Sequence, residues 1–321
     1  MTAPNAGGPP PTVLPGEAVR DADAAPDLAP KRGVDHLVLA VADLETAGAA
    51  YERLGFTVTP RAEHSWGTAN RLVQFAHRSF LEILTVAHPD RIPDHGDRRF
   101  SFGRFNQDYL ARREGFGMLV FDSADARADR DEFAEKGLAD LEPFDFERQA
   151  TLPSGETVRV AFSLAFAPPP AERDGAAVFT CQQHAPEHFW KPDYQVHENG
   201  AREIVEVVMI ADDPAGLRSY WEGVQGPEAV SAEDDGSLAI ETARGAVLAL
   251  TPEAYQTQYG EPPRPDAPEG PHFAAFRVGV RDLAATRDLL VERGVETRWA
   301  QAGLIVPSDS LFGVALAFAQ L

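Results

Sequence analysis

The chain has 321 residues, 44% of them hydrophobic, enough for globular domains with substantial cores. Its 29 Lys and Arg face 50 Asp and Glu, a formal charge of −21 with no basic stripe, which excludes nucleic acid as an expected partner. No apolar run is long enough to span a bilayer, and the single cysteine, Cys181, excludes an intrachain disulfide, so a soluble protein of the reducing cytoplasm is expected.

Residues 1–32 are rich in Pro, Ala and Gly, have little to bury and lack the basic start and apolar stretch of a secretory signal. They are expected to form a disordered arm. Four similar segments follow. They are "DHLVLAVADLETAGAAYERLGFTVTP" from residue 35, "GFGMLVFDSADARADRDEFAEKGLADLEP" from 115, "REIVEVVMIADDPAGLRSYWEGVQGPEAV" from 202 and "HFAAFRVGVRDLAATRDLLVERGVETRW" from 272. Each opens on an apolar, β-branched strand. An Asp then stands where a helix begins (Asp43, Asp125, Asp213, Asp282), and a Gly where it ends (Gly55, Gly137, Gly226, Gly294). In the first segment Leu44, Ala47, Tyr51 and Leu54 recur at helical spacing.

More strands close each segment: "NRLVQFAH" and "SFLEILTV" in the first, "ETVRVAFSLAFA" and "AVFTCQQH" in the second, "GSLAIET" and "GAVLALT" in the third, "GLIVPSD" and "GVALAFAQL" in the fourth. The expected unit is βαβββ, four times over. One such sheet covers only one face with its helix, so units should pair. This gives an α+β chain with a domain over 33–190, a linker over 191–201 and a second domain over 202–321.

Two strands carry an unexpected ionisable group. His36 sits in "VDHLVLAV" and Glu82 in "SFLEILTV", where an unpaired buried charge costs several kcal/mol, of order ~3 or more. A divalent cation would satisfy both. The alternative is that His36 hydrogen-bonds within the core and Glu82 pairs with an Arg such as Arg71.

Paired βαβββ units, with "DHLVLAVADLETA…ERLGF" opening one and "FLEIL" closing it, resemble the vicinal oxygen chelate superfamily, which includes glyoxalase I, bleomycin-resistance proteins and extradiol dioxygenases. "SWGTANRLVQF", "FLEIL" and "HAPEHFW" resemble its bacterial glyoxalase-like proteins more narrowly. The resemblance implies curved mixed sheets around a cavity and metal ligands from the first and fourth strands of a unit. That assigns His36 and Glu82 as ligands of Fe, Mn, Ni or Zn. Met118 stands at the His36 position of unit two, so the third ligand is expected from His184, with Gln182 as the alternative. Asn70, His64, Trp66 and Trp190 are expected to line the substrate cavity. Cys181, with no matched His or Asn, is expected to be inert. His197 and Glu198 are read as turn residues.

Units three and four have Val205, with Glu206 one residue away, and Ala275 near the first-strand position and no closing carboxylate, so the second domain is expected to be metal-free: a scaffold, a lid or a homodimer surface. The expected function is a metal-dependent enzyme on a small oxygenated molecule, with isomerase, lyase and ring-cleaving chemistry all open. In the isomerase version Glu82 is the base. The alternative is a non-catalytic protein that sequesters a small molecule.

Overall fold

A computed structural model describes residues 32–151, 157–169 and 175–321. The arm expected over 1–32 lies outside the described residues except for Arg32. Unit one comprises β1 (Val34–Ala40), α1 (Leu44–Arg53), β2 (Ala62–Glu63), β3 (Thr68–Gln74) and β4 (Phe80–Val86). A helix the segment pattern does not contain, α2 (Phe102–Leu110), precedes unit two: β5 (Gly115–Asp122), α3 (Ala126–Glu135), β6 (Phe144–Thr151), β7 (Thr157–Phe166) and β8 (Ala177–Gln183). After the short α4 (Pro186–Phe189), unit three has β9 (Ala201–Ile210), α5 (Arg218–Gln225), β10 (Val230–Ala232), β11 (Leu238–Glu241) and β12 (Ala246–Leu250). A second inserted helix, α6 (Pro252–Tyr259), leads to unit four: β13 (His272–Val280), α7 (Leu283–Glu292), β14 (Arg298–Ala300), β15 (Gly303–Val306) and β16 (Ala315–Gln320).

The repeated local chemistry does what the sequence suggested. Asp43 accepts from the backbone N–H groups of Glu45 and Thr46 at 3.0 and 3.1 Å, satisfying donors that the first helical turn leaves free. Asp125 and Asp282 cap α3 and α7 in the same way, and Asp213 caps a short 3-10 turn that runs into α5. All four glycines after the helices have positive φ, between 61° and 101°.

Units one and two build one curled eight-stranded mixed sheet, ordered β2-β3-β4-β1-β5-β8-β7-β6, and units three and four build a second, β10-β11-β12-β9-β13-β16-β15-β14. Within each unit the first strand runs parallel to the fourth, and the two first strands of a sheet meet antiparallel at its centre. Side chains alternate between faces along each strand. On β1, Leu37 and Leu39 turn to the convex side, and Val38 and Ala40 to the concave side.

The two convex sides face each other. Leu37, Leu39, Val207, Met209 and Val278 belong to one continuous core that also takes in Tyr51 of α1, Trp221 of α5 and Leu290 of α7. Phe116 meets Phe273 and Phe276 at 5.8 and 5.9 Å, and Phe56 stacks on Phe318 at 6.0 Å. Buried Arg32 adds a polar tie. It donates to the Val224 carbonyl (2.6 Å) and to Asp129 and Glu132 (2.6 and 2.7 Å), joining α3 to α5. Each concave side has its own smaller core. That of the first sheet holds Phe80, Phe102, Phe105, Phe166 and Phe179, and that of the second is filled from α6 by Tyr255 and Tyr259.

Candidate functional site

The concave cavity of the first sheet contains both singular residues of the sequence. His36 and Glu82 are 5% and 6% exposed, and His36 Nε2 lies 4.0 Å from Glu82 Oε2. The alternation that buries Val38 and Ala40 on this side carries His36 with them, and on β4 Phe80 and Leu84 carry Glu82. Arg71, the alternative partner for Glu82, lies elsewhere: it pairs with Glu45 and Glu52 of α1 at 3.3 and 2.6 Å.

A bulge in β1 shapes the site. The register slips between Val34 and His36, which leaves Asp35 unpaired on the strand. Asp35 Oδ2 then lies 2.7 Å from His36 Nδ1, and Asp35 Oδ1 accepts from Gln183 Nε2 of β8 at 3.0 Å. A carboxylate on Nδ1 favours a proton there and fixes the ring with Nε2 toward Glu82. On the other side Asn70 Nδ2 donates to Glu82 Oε1 at 2.6 Å. His64 Nε2 is 3.4 Å from the same amide nitrogen, and His64 Nδ1 is 2.8 Å from Thr68 Oγ1. Asp35 was missed by sequence reasoning. Its signal was a carboxylate next to the strand histidine, which simple alternation assigns to the opposite face.

The walls are aromatic. Phe80 stacks on His36 at 4.2 Å, and Trp66, Phe102, Phe144, Phe146, Phe162, Phe179 and Phe189 complete the lining with Leu72, Leu164 and Cys181. The open space they leave is about 60 Å³. No Lys or Arg is among the lining residues. Burial, with the carboxylates of Asp35, Glu82 and Asp122 nearby, holds the Cys181 thiol well above its ordinary pKa, so it stays protonated and fits the inert reading. Trp190 packs on Phe80 and Phe189 at 5.9 and 5.0 Å, behind the lining and not in it.

His184 is not in this cavity. Its Nε2 lies 2.8 Å from Ser163 Oγ, which donates to Asp145 at 2.5 Å. This cluster borders a separate open groove with Arg127 and Arg159. The physical reason is alternation on β7: Phe162 and Leu164 face the aromatic cavity, so Ser163 between them and its partner His184 face away. Gln182 is also turned away, donating to the Ala124 carbonyl beside α3 at 2.8 Å.

Register shows why unit two supplies no substitute. His36 and Met118 each stand seven residues before a capping Asp, as do Glu206 and Ala275. Glu82 is opposite Val38, and the matching fourth-strand residues are Phe179, Leu248 and Ala317. The four units thus carry His36/Glu82, Met118/Phe179, Glu206/Leu248 and Ala275/Ala317. Of the two neighbours Val205 and Glu206, the register puts Glu206 at the first-strand position of unit three. Burial pushes the Glu206 carboxyl up in pKa, while Arg277 at 2.6 Å and Tyr259 Oη at 3.4 Å compensate it.

A divalent ion fits the chemistry of this donor set in part. An imidazole Nε2 and a carboxylate oxygen face one another, a pairing that a cation or a proton on Nε2 would satisfy. Among the described residues, however, no group of three His, Cys, Asp or Glu side chains is placed to hold an ion. The remaining positions would fall to water or to oxygens of a bound molecule, as happens where one or two carboxylates hold a cation together with its substrate.

Comparison with known proteins bears on the fold. The family model described as Glyoxalase-like domain matches residues 34–224. No curated protein matches the chain. Among solved structures, a hypothetical protein from Staphylococcus aureus is similar over 91% of this chain and 100% of its own, with 12% identity and a TM-score of 0.60. A mutant of 4-hydroxymandelate synthase from Streptomyces coelicolor is similar over 84% of this chain and 76% of its own, with 15% identity and a TM-score of 0.53. A xylose isomerase-like TIM barrel/4-hydroxyphenylpyruvate dioxygenase fusion protein is similar over 91% of this chain and 49% of its own, with 14% identity and a TM-score of 0.50. At these identities the likeness is one of fold.

Proposed function

Because the chain belongs to the glyoxalase-like family of the vicinal oxygen chelate superfamily, we propose that its N-terminal cavity is the active site of an enzyme acting on one small, largely aromatic oxygenated molecule, with His36 and Glu82 sharing a divalent cation, one of Fe, Mn, Ni or Zn. The observation that carries this reading is the facing pair of His36 Nε2 and Glu82 Oε2, 4.0 Å apart in a cavity with no Lys or Arg among its described lining residues. A divalent cation between them would satisfy both groups in the place of a proton on Nε2. A bound cation would supply Lewis acidity to the ligand's oxygens.

The chain's own residues do the rest. Asp35 holds the His36 ring and its proton on Nδ1. Asn70 holds Glu82 Oε1, so Oε2 is the oxygen that would hold the cation or, in the isomerase version once released from it, take a proton from a carbon beside the ligand's oxygens. The Phe and Trp walls grip a flat apolar body and exclude water. One observation favours a second reading, a binder without metal: Met118 and Phe179 leave unit two without a donor, so a ligand carrying its own cationic or donor group would answer the same pair.

Elemental analysis and metal-binding calorimetry separate the two. Wild type is expected to hold close to one divalent ion per chain. His36→Ala and Glu82→Gln should each weaken binding by at least about 10- to 100-fold, taking the effect of outer-shell changes as a floor, while His184→Ala should bind as the wild type does. A wild type that stays metal-free after reconstitution supports the binder, and a His36→Ala/Glu82→Gln double variant that keeps its ion removes the site from this cavity.

A further inference from the structure

The first sheet curls far enough for its two free edges to meet. Strands β2 and β6 lie at opposite ends of the strand order. Trp66, on the turn between β2 and β3, nevertheless packs against Phe144 and Phe146 of β6 at 5.3 and 4.7 Å, and His64 reaches Phe146 at 6.3 Å. Among the described residues no backbone hydrogen bond joins these edges, so the seam is closed by ring contacts. On its outer side lies a second hollow of about 270 Å³, lined by Glu63, Ser65, Arg91 and Glu147 and sharing His64, Trp66 and Phe146 with the inner cavity.

The inner space is about 60 Å³, whereas an apolar cavity that takes up benzene measures roughly 150 Å³. A ring compound can fit only if wall residues move. Moving a strand of the sheet interior would break ladder hydrogen bonds, and parting the seam breaks no backbone hydrogen bond among the described residues. Trp66 Nε1 is also buried without a hydrogen-bond partner, so the closed seam leaves one donor unsatisfied and parting it would restore that donor to water.

We infer that the His64–Trp66–Phe146 seam is the door of the cavity, through which a flat ring passes from the outer hollow to lie over His36 and Glu82. The inference uses the cavity as a ligand site and does not depend on whether a metal is held there.

Cys181 reports on the door, because it is the only cysteine and lines the inner cavity while 5% exposed. The test is the rate at which methyl methanethiosulfonate labels Cys181 in the full-length protein, followed by mass spectrometry with and without a chelator. Trp66→Ala should raise the rate about 10-fold or more, the factor implied by losing two ring pairs, whereas Trp66→Phe, which keeps a ring, should stay within about 3-fold of wild type. Phenol, a single ring with one donor, should slow labelling of the wild type. If Trp66→Ala does not fold, Phe146→Ala on the opposite edge carries the same expectation. Equal rates in wild type and in a folded seam variant, rates that follow the global unfolding midpoint, or no protection by phenol would each overturn the door. The same labelling pattern in a protein shown to be metal-free would leave the door standing and remove only the metal.

Discussion

His197 shows how far a residue's chemistry can depart from its local sequence. In "HENGA" it reads as a turn residue, yet it is 6% exposed, accepts from the Thr57 N–H at 3.0 Å and donates through Nε2 to the Gln74 carbonyl at 2.9 Å. Burial pushes its pKa from 6.5 down to about 4. On acidification the unfolded chain therefore takes up the proton first, so stability is complete above about pH 6.5 and falls as the pH drops toward 4, by roughly 3 kcal/mol in all. Urea midpoints at pH 7.5, 5.5 and 4.5 should fall more steeply for wild type than for His197→Gln. Parallel slopes would show that other groups set the acid sensitivity; His272, whose pKa is also lowered by burial, is the first to examine. At this scale the sequence was legible where alternation alone decides, as for His36 and Glu82. It was not legible for Asp35, which the bulge redirects, or for His184, whose facing depends on where β7 places Ser163.

Among the elements, the inserted helices carried signals that the repeat pattern overshadowed. Ser101 caps α2, and Phe102, Phe105 and Tyr109 recur along its buried side; Thr251 and Pro252 open α6, and Gly260 closes it with φ +71°. The short edge strands β2, β10 and β14 have two or three residues each and no periodicity to read. The turn that carries Trp66 depends on Gly67, at φ +99°, where an added Cβ would lie 2.4 Å from the His88 carbonyl oxygen. Gly137 also has a positive φ, +68°, but no atom within 4 Å of such a Cβ. Comparing the two separates backbone conformation from steric contact. Gly137→Ala should cost about 1 kcal/mol, the left-handed penalty alone, and Gly67→Ala about 2–4 kcal/mol, since the turn must also shift. Thermal melts of the two variants measure the difference, and equal costs would mean that the His88 segment yields freely.

For the whole molecule, the shared convex core decides cooperativity. The sequence predicted paired units, and the strand orders agree. It gave no sign that the two sheets would be packed back to back, because an apolar convex residue reads the same whether a helix or another sheet covers it. Leu37, Leu39, Val207 and Met209 share one core, and Arg32, Arg244 and Lys136 add ties across it: Arg32 to Val224, Arg244 to Asp122 at 2.8 Å, Lys136 to the Gly223 carbonyl at 2.8 Å. Denaturant unfolding should therefore be a single transition by both far-ultraviolet circular dichroism and tryptophan fluorescence. Two separated transitions would mean that the sheets hold together more weakly than their shared core implies. A chain cut at residue 200 would leave much of that face bare and is expected to aggregate.

The four pairs at matching register, His36/Glu82, Met118/Phe179, Glu206/Leu248 and Ala275/Ala317, have an ancestral reading. If the units descend from one by duplication, the capping aspartates and closing glycines persist in every copy, while the concave residues have diverged to imidazole, thioether, carboxylate and methyl. Convex positions are held by a neighbouring sheet and helices, so drift there is penalised at once. Concave positions face a space that each copy can fill in its own way, as Tyr255 and Tyr259 fill the one beside Glu206. On that reading, duplication in this architecture would release chemistry from the constraint of folding: three copies could become walls, buttresses and plugs while the concave pair of the first, His36 and Glu82, stays polar.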